Sequence, residues 1–216
     1  MGAPFKYPYD RRMPRIRLTL GASVAVALLT GLSLAAQGQA PDSRVAQLRQ
    51  GGYVLVVRHG HSPRTQLTKE QAQPDNTTLE RQLDETGRRD AAAMGDALRA
   101  LKVPIGTVLT SPAYRARETA AVAKLTGAKP VDELGDNGQS MQGVTEAQAA
   151  WLRARASERP AVGNTVLVTH QPNLTRAFPD WGASLDEGEM AILRPDGKGG
   201  FTLAGRIPIA EWPRLR

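Results

Sequence analysis

Tyr53-Val-Leu-Val-Val-Arg58-His59-Gly60 is the stretch whose reading decides the fold. Residues 53–57 are apolar without interruption, and three of them are valines. An apolar run without polar alternation is what a β-strand covered on both faces shows. Two more runs share this character, Thr107-Val-Leu-Thr110 and Thr165-Val-Leu-Val-Thr169. Helical signals lie between and around them. Residues 84–101 place Ala92, Ala93, Leu98 and Leu101 at helical spacing, and Ser111-Pro112 reads as an N-cap and first helical position, with the helix running to about Leu125. Thr145 and Gln148 form a capping box for a helix ending near Glu158. A short helix is expected over residues 42–50, with Val45 and Leu48 on one face and Gly51-Gly52 as its stop. Residues 128–131 read as a strand, and residues 189–193 and 201–207 as a closing hairpin around Asp196-Gly197. Residues 65–82 are polar, carry Pro74, and read as a loop over the strand ends. Strands alternating with helices predict an α/β three-layer sandwich with a mostly parallel central sheet. In such sheets ligands bind at the carboxyl ends of the strands.

The chain has three histidines, His59, His61 and His170, and all three follow predicted strands directly. Arg58 ends the first strand, and Arg115 falls in the first turn of the helix after the second. In a parallel sheet these groups come together on one edge. A single histidine at a strand end is usually a packing or capping residue. Three coincidences, with no histidine elsewhere, point to a site.

The residue types suit phosphoryl transfer. A neutral imidazole nitrogen can attack phosphorus and form a covalent intermediate. Guanidinium groups present planar forks of donors that match the oxygens of a phosphoryl group. Gly60 removes a side chain where the backbone must turn close to the anion, and His170 offers another donor. Positioning and electrostatics supply most of such catalysis, so the set is sufficient in kind without a metal or cofactor.

Arg58-His59-Gly60 resembles the signature of the histidine phosphatase, or phosphoglycerate mutase-like, superfamily. The resemblance continues through Leu83-Asp-Glu-Thr-Gly87, then Leu109-Thr-Ser-Pro-Ala-Tyr-Arg115-Ala-Arg-Glu-Thr119, then Val168-Thr-His170, in order and spacing, over roughly residues 53–175. It implies His59 as the phosphorylated nucleophile, with Arg58, Arg115 and His170 completing the phosphate pocket and Glu118 and Thr119 structural. It also implies metal-independent hydrolysis of a small phosphorylated substrate. A leader before a short domain is similar to small bacterial extracytoplasmic members.

The pattern breaks at the proton donor. One branch of the family places an acid directly after the second histidine, where this chain has Gln171. Another places a Glu after the helix that follows the second strand, and there this chain reads Val131-Asp-Glu-Leu-Gly-Asp136. Asp136 is the nearest counterpart and Glu133 the next, with no donor as the remaining alternative. His61 and Arg64 are candidates for substrate contact, and solvent is the slightly favoured alternative for His61. The stretch from Asp132 to Thr145 and the loop from Arg64 to Gln82 hold the specificity. Trp151, Trp181 and Trp212 read as packing residues.

The first 40 residues read as an address. Arg11, Arg12, Arg15 and Arg17 precede an uncharged apolar run over residues 18–36 that ends in small residues. This is the pattern of a cleaved signal peptide, with an uncleaved anchor as the alternative. Either places a single domain of residues 41–216 outside the cytoplasm, touching a membrane only through an uncleaved leader. The net charge of +7 overstates the domain, since five of the 28 basic residues but only one of the 21 acidic ones lie within residues 1–35. A mildly basic domain does not suit non-specific nucleic-acid binding. The absence of cysteine excludes disulfides, a thiolate nucleophile and Cys-ligated zinc. Two other functions fit the same residues: a metal-dependent hydrolase using His59, His61 and His170, and a phosphate-binding protein without turnover. The sequence is silent on oligomeric state.

Overall fold

The computed structural model describes residues 42–137 and 143–215; the leader expected over residues 1–40 lies outside them. Among the described residues no helix is long and apolar enough to cross a membrane. Six strands, β1 (Val54–Arg58), β2 (Ile105–Thr110), β3 (Lys129–Pro130), β4 (Asn164–Thr169), β5 (Met190–Pro195) and β6 (Phe201–Ile207), form one sheet in the order β3-β2-β4-β1-β5-β6. The β1–β4, β2–β4 and β2–β3 pairs are parallel, and the closing hairpin adds β5 antiparallel to β1. The sheet is therefore mostly parallel, as predicted.

β1 is covered on both faces because it lies inside the sheet and helices pack on each side. Val54 to Val57 are all fully buried. Leu55 and Val57 join a core with Val166, Val168, Met94 and Leu98, whereas Val54 and Val56 join one with Leu167, Leu152 and Leu174. The alternation follows from the two-residue period of a strand. The first core is roofed by α1 (Ser43–Gln50), α2 (Glu85–Ala100) and α3 (Tyr114–Val122), the second by α4 (Glu146–Ser157) and α5 (Gln171–Ala177). These are the three layers. Trp212 is buried in the first core, and Trp151 and Trp181 pack half-buried on the second.

Three local expectations shift. The buried face of α2 is Gly87, Ala91, Met94, Gly95 and Leu98, with Ala92 and Ala93 only half-buried. Close backbone approach sets this face: a Cβ on Gly95 would lie 2.0 Å from the Ala123 carbonyl oxygen. Hydropathy does not register such an approach. The helix predicted from Ser111 begins instead at Tyr114 and ends at Val122. The Ser111 hydroxyl accepts the Ala113 N–H at 3.1 Å within a preceding turn, so Ser111-Pro112 does not cap the helix. Finally, α5 starts immediately after His170, where the sequence predicted no helix; at seven residues it is too short to show a period.

Candidate active site

Strand order brings the chemistry together. β1 lies beside β4, and β4 beside β2, all parallel, so Arg58 pairs in register with Thr169, and Thr110 with Val168. His59, His170 and Ser111 are the residues that follow these three strand ends. The His59 and His170 rings are 5.2 Å apart, centroid to centroid. Both side chains line a pocket of about 180 Å³ together with Arg58, Arg64, Arg81, Asp136 and Glu187.

His59 is held in one tautomer. Its Nδ1 lies 2.8 Å from the Gly60 carbonyl oxygen. A carbonyl only accepts, so Nδ1 carries the proton and Nε2 the lone pair. The turn beneath it is pinned from three sides. Gly60 N–H donates to the Thr119 hydroxyl at 3.0 Å, and that hydroxyl donates to the Arg115 carbonyl at 2.7 Å. Glu118 accepts the Leu83 N–H at 2.6 Å. The Gly188 N–H donates to the His59 carbonyl at 2.9 Å. Gly60 has no unusual backbone angle; what it meets is the Gly87 carbonyl, 3.3 Å from where a Cβ would stand. Gly87 is the tighter point, since its Cβ would lie 2.2 Å from the His61 carbonyl oxygen. The Glu118, Thr119 and Gly87 positions thus carry the turn that aims His59.

Arg115 is fully buried and donates through one nitrogen to Asp136 Oδ2 at 2.5 Å and to His170 Nδ1 at 2.9 Å. Guanidinium only donates, so His170 Nδ1 accepts, and Nε2–H donates to the Ser111 hydroxyl at 2.7 Å. Both nitrogens of His170 are therefore engaged by protein groups, whereas the sequence offered one of them to the substrate. The Asp136 turn is clamped by three side chains: Thr169 donates to the Leu134 carbonyl at 2.8 Å, and Asn173 and Gln148 to the Gly135 carbonyl at 2.8 and 2.9 Å. Glu133, the other candidate acid, is half-buried and does not line the pocket.

Residues 54–166 match the family model described as the histidine phosphatase superfamily, branch 1. The chain belongs to the histidine phosphatase superfamily. Phosphatase activity follows in general terms. No curated protein matches the chain. Among solved structures, the protein histidine phosphatase SixA in complex with tungstate is similar at 20% identity, covering 74% of this chain and 98% of that one with a TM-score of 0.55. A protein assigned as phosphohistidine phosphatase SixA from Agrobacterium tumefaciens follows at 18%, 73% and 98%, with a TM-score of 0.51. One assigned as an alpha-ribazole-5'-P phosphatase from Escherichia coli stands at 19%, 74% and 98%, with a TM-score of 0.50. At these identities the likeness is one of fold.

Within this histidine phosphatase, two charged pocket residues escaped the sequence reading as named candidates. Arg81 reaches the pocket from the polar loop and is fixed by donation to the Pro63 carbonyl at 3.1 Å and to the Ser62 carbonyl. Glu187 reaches it from the turn before β5, 3.3 Å from Arg58. Neither sits in a recognisable local pattern. Arg64 lines the pocket. His61 does not: its ring is half exposed, with Nδ1 2.8 Å from the Asp84 carboxylate. A His59, His61 and His170 metal triad is thus not assembled, since His61 turns to Asp84 and His170 is engaged by Arg115 and Ser111. Among the described residues no group of three or more His, Cys, Asp or Glu is arranged to hold a metal ion.

Burial, reinforced by the charges of Arg115, Arg58 and Arg81, pushes the His59 imidazole down to about 3. The same burial, with Arg115 next, holds His170 well below the ordinary histidine value. Both are neutral in the folded protein at pH values where the unfolded chain, titrating near 6.5, takes up protons. The unfolded state then binds more protons, so stability is full above about pH 6.5 and falls with pH below it. Each histidine contributes a slope of up to about 1.4 kcal/mol per pH unit. Denaturant unfolding between pH 7 and 5 is expected to show this loss, and His170→Asn to show a shallower one; equal slopes would remove His170 from the account.

Proposed function

We propose that this protein is a metal-independent phosphatase that hydrolyses a phosphomonoester or other small phosphorylated substrate through a phosphohistidine on His59 Nε2. One observation carries the reading: His59 is neutral, fixed with its proton on Nδ1, and lines a pocket shared with arginines. A neutral, oriented imidazole is a nucleophile, and the guanidinium groups of Arg58, Arg64 and Arg81 offset the charge of the phosphoryl group. Arg115, buried beside Asp136 and His170, adds positive potential and fixes His170. Both Arg58 and Arg115 keep a buried Nε–H without a partner, and a buried donor without a partner is costly unless a ligand meets it. Attack forms the Nε2–P bond as the P–O bond to the leaving group breaks; water then attacks phosphorus, releasing phosphate and restoring His59. The SixA structures, one of a protein histidine phosphatase and one of a protein assigned as a phosphohistidine phosphatase, support phosphohistidine as a candidate substrate beside phosphomonoesters.

The test is turnover of p-nitrophenyl phosphate by residues 41–216 in excess chelator, with the reaction quenched in alkali and the protein mass measured. Metal-independent turnover with an alkali-stable, acid-labile phosphoryl adduct on the His59 peptide is expected. Phosphate binding without turnover would instead make the protein a binder, and turnover lost to chelator a metal enzyme.

A further inference from the structure

We propose that Glu187, and not Asp136, is the general acid that protonates the leaving group. The assignment rests on the reading of His59 as the nucleophile. Two carboxylates line the pocket, and their surroundings differ. Asp136 is almost fully buried, and its Oδ2 accepts a 2.5 Å charge-assisted bond from Arg115 while standing 3.6 Å from His170 Nδ1. It is committed to holding the buried arginine and histidine, and three side chains hold its turn through the Leu134 and Gly135 carbonyls. Glu187 has a looser contact, 3.3 Å from Arg58, and keeps about a fifth of its surface open.

Glu187 also has a polar neighbour on its solvent side. His61 Nδ1 donates to Asp84, so its Nε2 faces away from that carboxylate, 3.9 Å from Glu187 Oε2. The imidazole is half exposed. The turn that carries Glu187 is rigid. The Gly188 N–H bonds to the Arg58 and His59 carbonyls, Arg58 donates to the Leu185 carbonyl at 3.0 Å, and Glu189 is gripped by Arg206 at 2.6 and 2.8 Å. Glu187 is thus placed relative to His59 by the nucleophile's own backbone.

A phosphoryl dianion that takes up the Arg58 guanidinium stands beside the Glu187 carboxyl, which lies 3.3 Å from that group. As the Nε2–P bond forms and the P–O bond breaks, the carboxyl proton passes to the leaving oxygen and the product leaves as the alcohol. The carboxylate then takes a proton from the water that cleaves the phosphohistidine, and the enzyme is restored.

An acid matters only where the leaving group needs a proton. Glu187→Gln is therefore expected to lower kcat on glycerol 2-phosphate about 10²- to 10⁴-fold, and to cost at least ten times less on p-nitrophenyl phosphate. Inhibition by inorganic phosphate should stay equal or tighten in the variant, a folded-state control, since a carboxylate beside the anion is gone. Asp136→Asn should lower both esters alike. Equal losses on the two esters in Glu187→Gln would reduce Glu187 to a holder of Arg58 and overturn the assignment. So would a leaving-group-dependent loss in Asp136→Asn alone, or a wild type that turns over p-nitrophenyl phosphate but no alkyl ester. A wild type with no adduct and no turnover of either ester fails earlier, at the phosphatase reading itself.

Discussion

Replacing His59 with asparagine is expected to abolish turnover of every phosphorylated substrate, by about 10⁴-fold or more, with the fold intact. The size follows from the role: no other group in the pocket offers an uncharged, fixed lone pair to phosphorus. Asparagine is the informative replacement because its amide can donate to the Gly60 carbonyl as Nδ1 does at 2.8 Å. The backbone pins from Thr119 and Gly188 do not involve the ring. The variant should therefore melt near the wild type, bind inorganic phosphate, and yield no phosphoryl adduct. Retention of turnover within tenfold of wild type would remove His59 as the nucleophile.

The second large effect falls on stability as well as rate. Arg115→Ala leaves the Asp136 carboxylate and His170 Nδ1 buried without their common donor. Breaking a buried ion pair from one side costs about 3–5 kcal/mol, because the remaining charge keeps its desolvation penalty. For a domain of this size that is roughly a 10 °C fall in Tm. Turnover should also fall, as His170 loses its fixed tautomer. The double replacement Arg115→Met with Asp136→Leu separates the two effects. Without a stranded charge it should recover most of the Tm, measured by thermal unfolding, and none of the activity. A single Arg115→Ala variant with wild-type Tm would show that Asp136 finds another partner.

Much of this molecule is local and therefore legible. The runs at 53–57 and 165–169 are strands because apolar, β-branched residues without alternation suit a sheet buried on both faces, and they proved fully or almost fully covered. The Thr145–Gln148 capping box is present as read, both bonds included. Where close approach decides the structure, local pattern fails. The phase of α2 depends on Gly87 and Gly95 meeting the carbonyls of His61 and Ala123, contacts between segments that no hydropathy window spans. The start of α3 depends on how the Ser111 hydroxyl is used, and in the fold it serves Ala113 and His170.

The sequence by itself determined the α/β class, the histidines and arginines at the strand ends, and the chemistry those residue types can perform. Each is a property of a short segment. Only the tertiary structure decided which groups share the pocket. Strand order sets β1 between β4 and β5, so the turn before β5 is carried alongside His59, and Glu187 arrives with it. It also buried Arg115 against Asp136 and His170, and turned His61 out to Asp84. Such choices depend on strands paired more than 100 positions apart, as Val54 is with Thr165 and Leu193, and on side chains paired 21 to 55 positions apart, through burial and charge that exist only once the layers have closed.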